Sequence, residues 1–157
     1  MEVFEQTHID RMKKYLPILR KAAGWKAEDL GDLIGVTRQT ITSLEKNEAY
    51  KMTKTQYIAL RAVFHREAIR TGNKHLEYLV ELLVLKNDLT EEQEEKINST
   101  VEKVSATTGR SVNAASVLTG MSALLGLFGY MVAPVATTLA LHGSKMVSDK
   151  AKGDKKK

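Results

Sequence analysis

Thr37, Arg38, Gln39, Thr42 and Ser43 form a cluster of hydrogen-bonding side chains interleaved with two apolar ones, Ile41 and Leu44. At helical spacing Ile41 and Leu44 turn inward, while Arg38, Gln39, Thr42 and Ser43 face outward. An outward Gln matches the donor and acceptor pair of adenine in the DNA major groove, and an outward Arg matches the two acceptors of guanine. The chemistry such a set can do is recognition rather than bond making. Thr37, Arg38, Gln39, Thr42 and Ser43 are therefore the candidate base-contacting residues, with Thr37 also suited to capping the helix or touching a phosphate. Lys26, Thr40, Lys46, Lys51 and Lys54 are the candidate phosphate contacts, together with Lys14 and Lys21, a solvated lysine face being the alternative reading for each lysine.

A helix over Lys26 to Ile34, with Ala27, Leu30, Leu33 and Ile34 on its apolar face, must precede this cluster. Gly35 ends that helix because a sharp turn needs a left-handed residue, and Val36 plugs the corner before the second helix starts at Thr37. The stretch from Trp25 to Glu45 resembles the helix-turn-helix of the Xre family, which includes the phage Cro and repressor proteins. Leu16, Leu19 and Ala23 fit that family's first helix, Gly24 its break, and Thr53 to Phe64 its following helix, so the resemblance covers about residues 9 to 70. Two departures stand out. Ala27 occupies a place where many members have a phosphate-contacting Gln, and Asn47 replaces a common Gly, with Asn able to take the left-handed conformation. The resemblance implies double-stranded DNA as partner and binding as a dimer to pseudo-palindromic sites with half-sites about 34 Å apart.

Composition narrows the alternatives. The 157 residues suffice for one ordinary domain or two small ones. There is no Cys, which excludes disulfides and thiolate metal sites and fits a reducing compartment. His8, His65, His75 and His142 are far apart and have no ligand spacing, so they read as surface or helix-end residues and no metal or cofactor is expected. No phosphate loop, nucleophile elbow or paired catalytic carboxylates occur, and the chain is not expected to be an enzyme. Charge is uneven. Residues 1–71 hold 13 Lys/Arg against 9 Asp/Glu, residues 72–110 hold 5 against 8, and residues 111–157 hold 6 against 2. The basic first part suits a phosphate backbone.

The first eight residues read as a short arm, followed by a helix with Ile9, Met12, Leu16 and Leu19 on one face. Pro17 predicts a kink or a helix start near Tyr15 to Leu16. Trp25 reads as a core or hinge residue beside Gly24. Thr53 with Gln56, before the run Tyr57, Ile58, Leu60, Ala62 and Val63, marks a capping box and a helix ending near Gly72-Asn73. Leu76, Leu79, Val80 and Leu83 form the stripe of a further helix, with Glu77 and Glu81 outside, and Lys86-Asn87-Asp88 breaks it. Thr90 with Gln93 opens another helix carrying Ile97, Val101 and Val104. These two helices either serve dimerisation or fold back to enlarge the N-terminal core.

Between Arg110 and Lys145 lie 34 consecutive residues without an ionised side chain. Val117 to Leu141 exceeds the roughly 20 apolar residues that cross a bilayer. Small residues recur four apart, at Ser116/Gly120, Ser122/Gly126, Gly129/Ala133 and Ala136/Ala140, a spacing that lets helices approach closely. The segment reads either as a membrane-associating element or as helices buried in an oligomer or against the middle helices. The Lys-rich tail that follows suits solubility, or contact with anionic lipid or DNA.

The sequence thus predicts an all-α protein with a five-helix-type helix-turn-helix domain, followed by amphipathic helices and an apolar C-terminal helical segment. The expected divisions are 1–71 for DNA binding, 72–108 as helical linker or dimerisation region, 109–144 as apolar segment and 145–157 as basic tail. The expected function is sequence-specific transcriptional regulation, most simply repression, by a homodimer or higher homo-oligomer in the cytoplasm at the inner face of the cell membrane. One alternative makes the C-terminal segment a membrane-active or self-assembling effector and the helix-turn-helix its autoregulator or adaptor. Another makes the helix-turn-helix a scaffold for protein contacts alone.

Overall fold

The computed structural model describes residues 2–109 and 113–134, with side chains from Glu5 onward. Among them every regular element is helical: α1 (Glu2–Ala22), α2 (Ala27–Ile34), α3 (Arg38–Lys46), α4 (Lys54–Thr71), α5 (Lys74–Val80) continued by a π-helical turn (Glu81–Leu85), α6 (Glu91–Thr108) and α7 (Ala114–Leu127). The expected all-α architecture is what the chain adopts.

α1 is the central rod. Its inward face carries Ile9, Met12, Tyr15, Leu16, Leu19 and Ala22, and α3, α4, α5, the π turn and α7 all pack on it. One expectation is corrected here: residues 2–8 belong to the helix rather than to an arm. Of the two readings of Pro17, the helix start near Tyr15 to Leu16 falls away, because Pro17 lies inside α1. Proline removes one backbone bond at a cost of about 3 kcal/mol. Met12, Leu16 and Leu19 are completely buried on either side of Pro17, and such side chains are worth about 1.5–3 kcal/mol each. Packing on both flanks outweighs the break, so the helix continues.

The caps follow the sequence closely. Thr53 Oγ1 accepts the Gln56 N–H at 3.1 Å while Gln56 Oε1 accepts the Thr53 N–H at 2.9 Å, closing the box that starts α4. Thr90 and Gln93 do the same for α6, at 3.2 and 2.9 Å. Gly72, with φ 68°, ends α4 in the left-handed conformation.

The middle of the chain folds back on α1. The stripe of Leu76, Leu79 and Leu83 is buried, with Val80 partly so, but the π turn adds Leu82 and Val84 to it. Three successive side chains, Leu82, Leu83 and Val84, are buried along this turn, whose wider winding shifts the helical phase. Its last bond runs from the Lys86 N–H to Glu81 O at 2.7 Å. Arg11 on α1 donates to the Lys86 carbonyl and bridges Glu94 of α6 at 3.2 Å, and Tyr15 Oη donates to Asn98 Oδ1 at 2.7 Å. His75 lies at a helix end, one of its two expected places, and is buried there at the start of α5, where desolvation lowers its pKa.

Over its described part the apolar segment follows one of its two expected courses, burial against the middle helices. α7 has 14 residues, five of them buried: Val117, Leu118, Met121, Leu124 and Leu125. It packs on α1, α5 and α6. Gly120 lets α6 and α7 touch, since a Cβ there would come within 2.5 Å of Val104 Cγ2. Small residues that could serve helix contact in a bilayer are here serving contact within the chain. After Leu127 the backbone turns at Gly129 (φ 82°), and Tyr130 packs against Tyr78 of α5, with ring centroids 5.1 Å apart. Among the described residues no helix is long and apolar enough to cross a membrane. Val135 to Leu141, the rest of the expected span, and the basic tail lie outside the described residues.

Candidate nucleic-acid interface

α2 and α3 meet at a turn built by two glycines. Gly35 is left-handed, φ 75° and ψ 33°, and its N–H closes on Gly31 O, as does that of Val36 at 2.9 Å. Gly31, which the sequence reading passed over, matters as much. A Cβ on it would lie 2.7 Å from the Val36 carbonyl oxygen, backbone that cannot step aside. Its signal in the sequence was an isolated glycine inside an otherwise helical pattern. On α2, Leu30 and Gly31 are buried, whereas Leu33, expected on the apolar face, is 46% exposed.

Ile41 and Leu44 are completely buried and anchor α3. Thr37 is its N-cap: Thr37 Oγ1 accepts the Thr40 N–H at 3.1 Å and lies 3.0 Å from the Thr40 hydroxyl. Arg38 and Gln39 stand exposed side by side, with Thr42 and Ser43 half-buried on the same surface. The Thr42 hydroxyl donates to the Arg38 carbonyl at 3.1 Å, which leaves its methyl group and oxygen lone pairs for an incoming partner. No acidic residue occupies the first turn of α3, so its positive dipole end is uncompensated.

The candidate phosphate contacts are spread around this helix. Lys26 lies exposed just before α2, its backbone N–H bonded to Asp29 Oδ2 at 2.7 Å; Lys46 is exposed in the last turn of α3; Lys51 is exposed in the α3–α4 loop. Thr40 is half-buried behind Thr37. Lys54 begins α4 and pairs with Glu5 at 2.9 Å. Of the other basic residues, Lys14 lies over the Tyr15 ring at 5.3 Å. Lys21 donates to Gly109 O beyond α6, and desolvation lowers its pKa, with Arg20 adding to the effect and Glu45 opposing it.

Asn47 ends α3 with φ −100° and ψ 106°, extended rather than left-handed as expected. Its Oδ1 accepts the Ala49 N–H at 3.0 Å, and its carbonyl accepts from Tyr50 N–H at 3.1 Å and Lys13 Nζ at 3.0 Å. The asparagine side chain builds the turn, so no left-handed residue is needed.

A buried ion pair holds α3 in place. Arg20 of α1 reaches Glu45 with Nε–Oε1 2.6 Å and Nη2–Oε2 3.1 Å, and its Nη1 donates to Trp25 O at 2.9 Å. Trp25 in turn stacks on Phe64 of α4, ring centroids 5.6 Å apart, in keeping with its expected core or hinge place. The pair escaped sequence reasoning because nothing local links two charges on separate helices.

Two short helices at a glycine turn, the second polar on its outer face and braced by the first helix of the chain, define a helix-turn-helix DNA-binding domain. Residues 18–56 match the family described as helix-turn-helix, and this part of the chain is a helix-turn-helix of the Xre/Cro type. Neither the curated proteins nor the solved structures contain a match to the chain.

Proposed function

We propose that this protein is a sequence-specific transcription regulator that binds double-stranded DNA as a homodimer and represses by occupying a promoter. α3 enters the major groove, Arg38 and Gln39 read base edges, and Thr37, Thr42 and Ser43 complete the readout. Lys26, Thr40, Lys46, Lys51 and Lys54 hold the phosphate backbone. The observation that carries this reading is the exposed Arg38–Gln39 pair on a helix whose opposite face is locked down by Ile41, Leu44 and the Arg20–Glu45 pair. A recognition helix must be rigid in this way, because base contacts demand positioning within a fraction of an ångström. Residues 1–71 form the DNA-binding part, 72–108 the region behind it, and 109–144 the segment whose first half closes the core. Burial of Val117, Leu118, Met121, Leu124 and Leu125 favours that role over a bilayer anchor or a membrane-active effector.

The test is a genome-wide DNA pull-down with the intact protein beside the Arg38→Ala, Gln39→Ala double variant. A palindromic site enriched by the wild type and lost in the variant supports the reading, with each residue expected to contribute about 1–3 kcal/mol on the cognate site. Equal loss on cognate and random DNA would make the two residues phosphate anchors. Absence of any salt-dependent DNA binding would leave the domain a scaffold for protein contacts.

A further inference from the structure

A groove of about 500 Å³ runs between α4 and the α5–π-turn segment, on surface that the DNA-reading face does not use. Phe64 forms its floor, and Ile58, Ala62, Val80 and Leu85 line its sides. Its rim has two signs. Arg61 and His65 stand on the α4 wall, and Glu77 and Glu81 on the opposite wall. Each charge is engaged on its own side of the groove: Arg61 leans over the Tyr57 ring at 5.7 Å, Glu77 takes Lys74 at 3.0 Å, and Glu81 lies against the Tyr130 hydroxyl. Along the outward face of α4, Ile58 is 54% exposed and Ile69 64%.

We propose that this groove is where a second copy of the chain docks, α4 against the opposite wall, so that Arg61 and His65 of each protomer face the partner's Glu77 and Glu81. The inference rests on the dimeric reading above and names its surface. A two-fold interface must be complementary to itself, because the same patch meets its own copy. A patch of one sign repels its copy, whereas a cationic wall beside an anionic wall satisfies both protomers at once. Nucleic acid or an anionic membrane would call for a single sign. The apolar floor and the exposed Ile58 supply the area that ion pairs at a rim do not. None of Arg38, Gln39, Thr42 or Ser43 lines the groove, so docking leaves the reading face of both protomers free.

The test is charge reversal with the full chain, followed by sedimentation. Arg61→Glu alone, or Glu77→Arg with Glu81→Arg, places like charges across the interface and is expected to weaken self-association about tenfold or more. Mixing the two variants restores opposite charges at both contacts, so the mixture is expected to regain the two-chain mass that each lost. Ile58→Ser, which changes no charge, is expected to weaken association as well. Circular dichroism checks that every variant keeps its helix content. The proposal is overturned if the wild type sediments as one chain throughout a concentration series, if either reversal keeps the wild-type mass, or if the mixture stays monomeric. Binding to an isolated half-site, measured in parallel, separates this from the DNA reading: a failed interface leaves half-site binding intact, and a failed DNA reading leaves the mass results standing.

Discussion

Arg20 and Glu45, 25 positions apart, form a bidentate ion pair whose side chains are only 10% and 7% exposed, joining the first helix to the recognition helix. Burying two charges is costly, so the net gain over a packed apolar pair is small, but removing one partner strands the other. Glu45→Ala is expected to lower stability by about 3 kcal/mol, and chemical denaturation measures it. Arg20→Lys keeps the charge and loses the fork, so it should still destabilise. An unchanged denaturation midpoint for Glu45→Ala would mean that α3 is held by Ile41 and Leu44 alone.

Two glycines in helices should respond oppositely to alanine. Gly31→Ala drives a Cβ into the Val36 carbonyl at 2.7 Å and is expected to cost about 1–3 kcal/mol while weakening DNA binding through a displaced α3. Gly126 meets nothing within 4 Å. Gly126→Ala is expected to be neutral or to stabilise by up to about 1 kcal/mol through helix propensity. Thermal unfolding of the two variants side by side checks both signs.

The α6–α7 contact can be tested by compensation. Gly120→Ala places a methyl 2.5 Å from Val104 Cγ2, and β-branched valine is stiff, so about 1–3 kcal/mol of stability is expected to be lost. Adding Val104→Ala removes the clash. The double variant should be more stable than the sum of the two single effects, and a double-mutant cycle by denaturation reads that coupling. Strict additivity would mean that the helices do not meet there.

Burial lowers the pKa of His75. The unfolded chain, with the ordinary value near 6.5, binds a proton before the native state does. Stability is therefore full above about pH 6.5 and falls as pH drops from there toward the lower native value. Comparing the pH dependence of unfolding for the wild type and His75→Gln isolates this group: the variant should show a shallower acid slope over that window, and identical slopes would remove His75 as the cause.

Among the proposed phosphate contacts, Lys46 and Lys51 should matter more to DNA affinity than Lys54, whose ammonium already pairs with Glu5 at 2.9 Å. Replacing Lys46 or Lys51 with Ala should reduce the salt slope of binding by about 0.9 each. Lys54→Ala should reduce it less, because a lysine already paired with Glu5 neutralises less phosphate charge and so releases fewer of the cations condensed on the DNA. Affinity titrations over a salt series distinguish them.

The features legible along the chain are local: the capping boxes at Thr53 and Thr90, the Gly35 turn, the Thr37 start of α3, the Ile41/Leu44 anchor and the stripes of the middle helices. Each is written within one or two turns of chain, where hydrogen bonds and side-chain spacing leave few options. Tertiary structure decided the rest. Pro17 is tolerated because buried side chains on both sides outweigh one lost bond. Leu33 is left 46% exposed although it shares a helical face with Leu30. The π turn brings Leu82, Leu83 and Val84 inward together. Arg20 meets Glu45 although nothing near either announces the other. The apolar run was the hardest part to read, because a buried helix and a lipid-facing one draw on the same residues. In α7 the choice fell to neighbouring helices, whose Val104 meets Gly120 and whose packing buries Val117 to Leu125 on one side, and that partner surface exists only once the chain has folded.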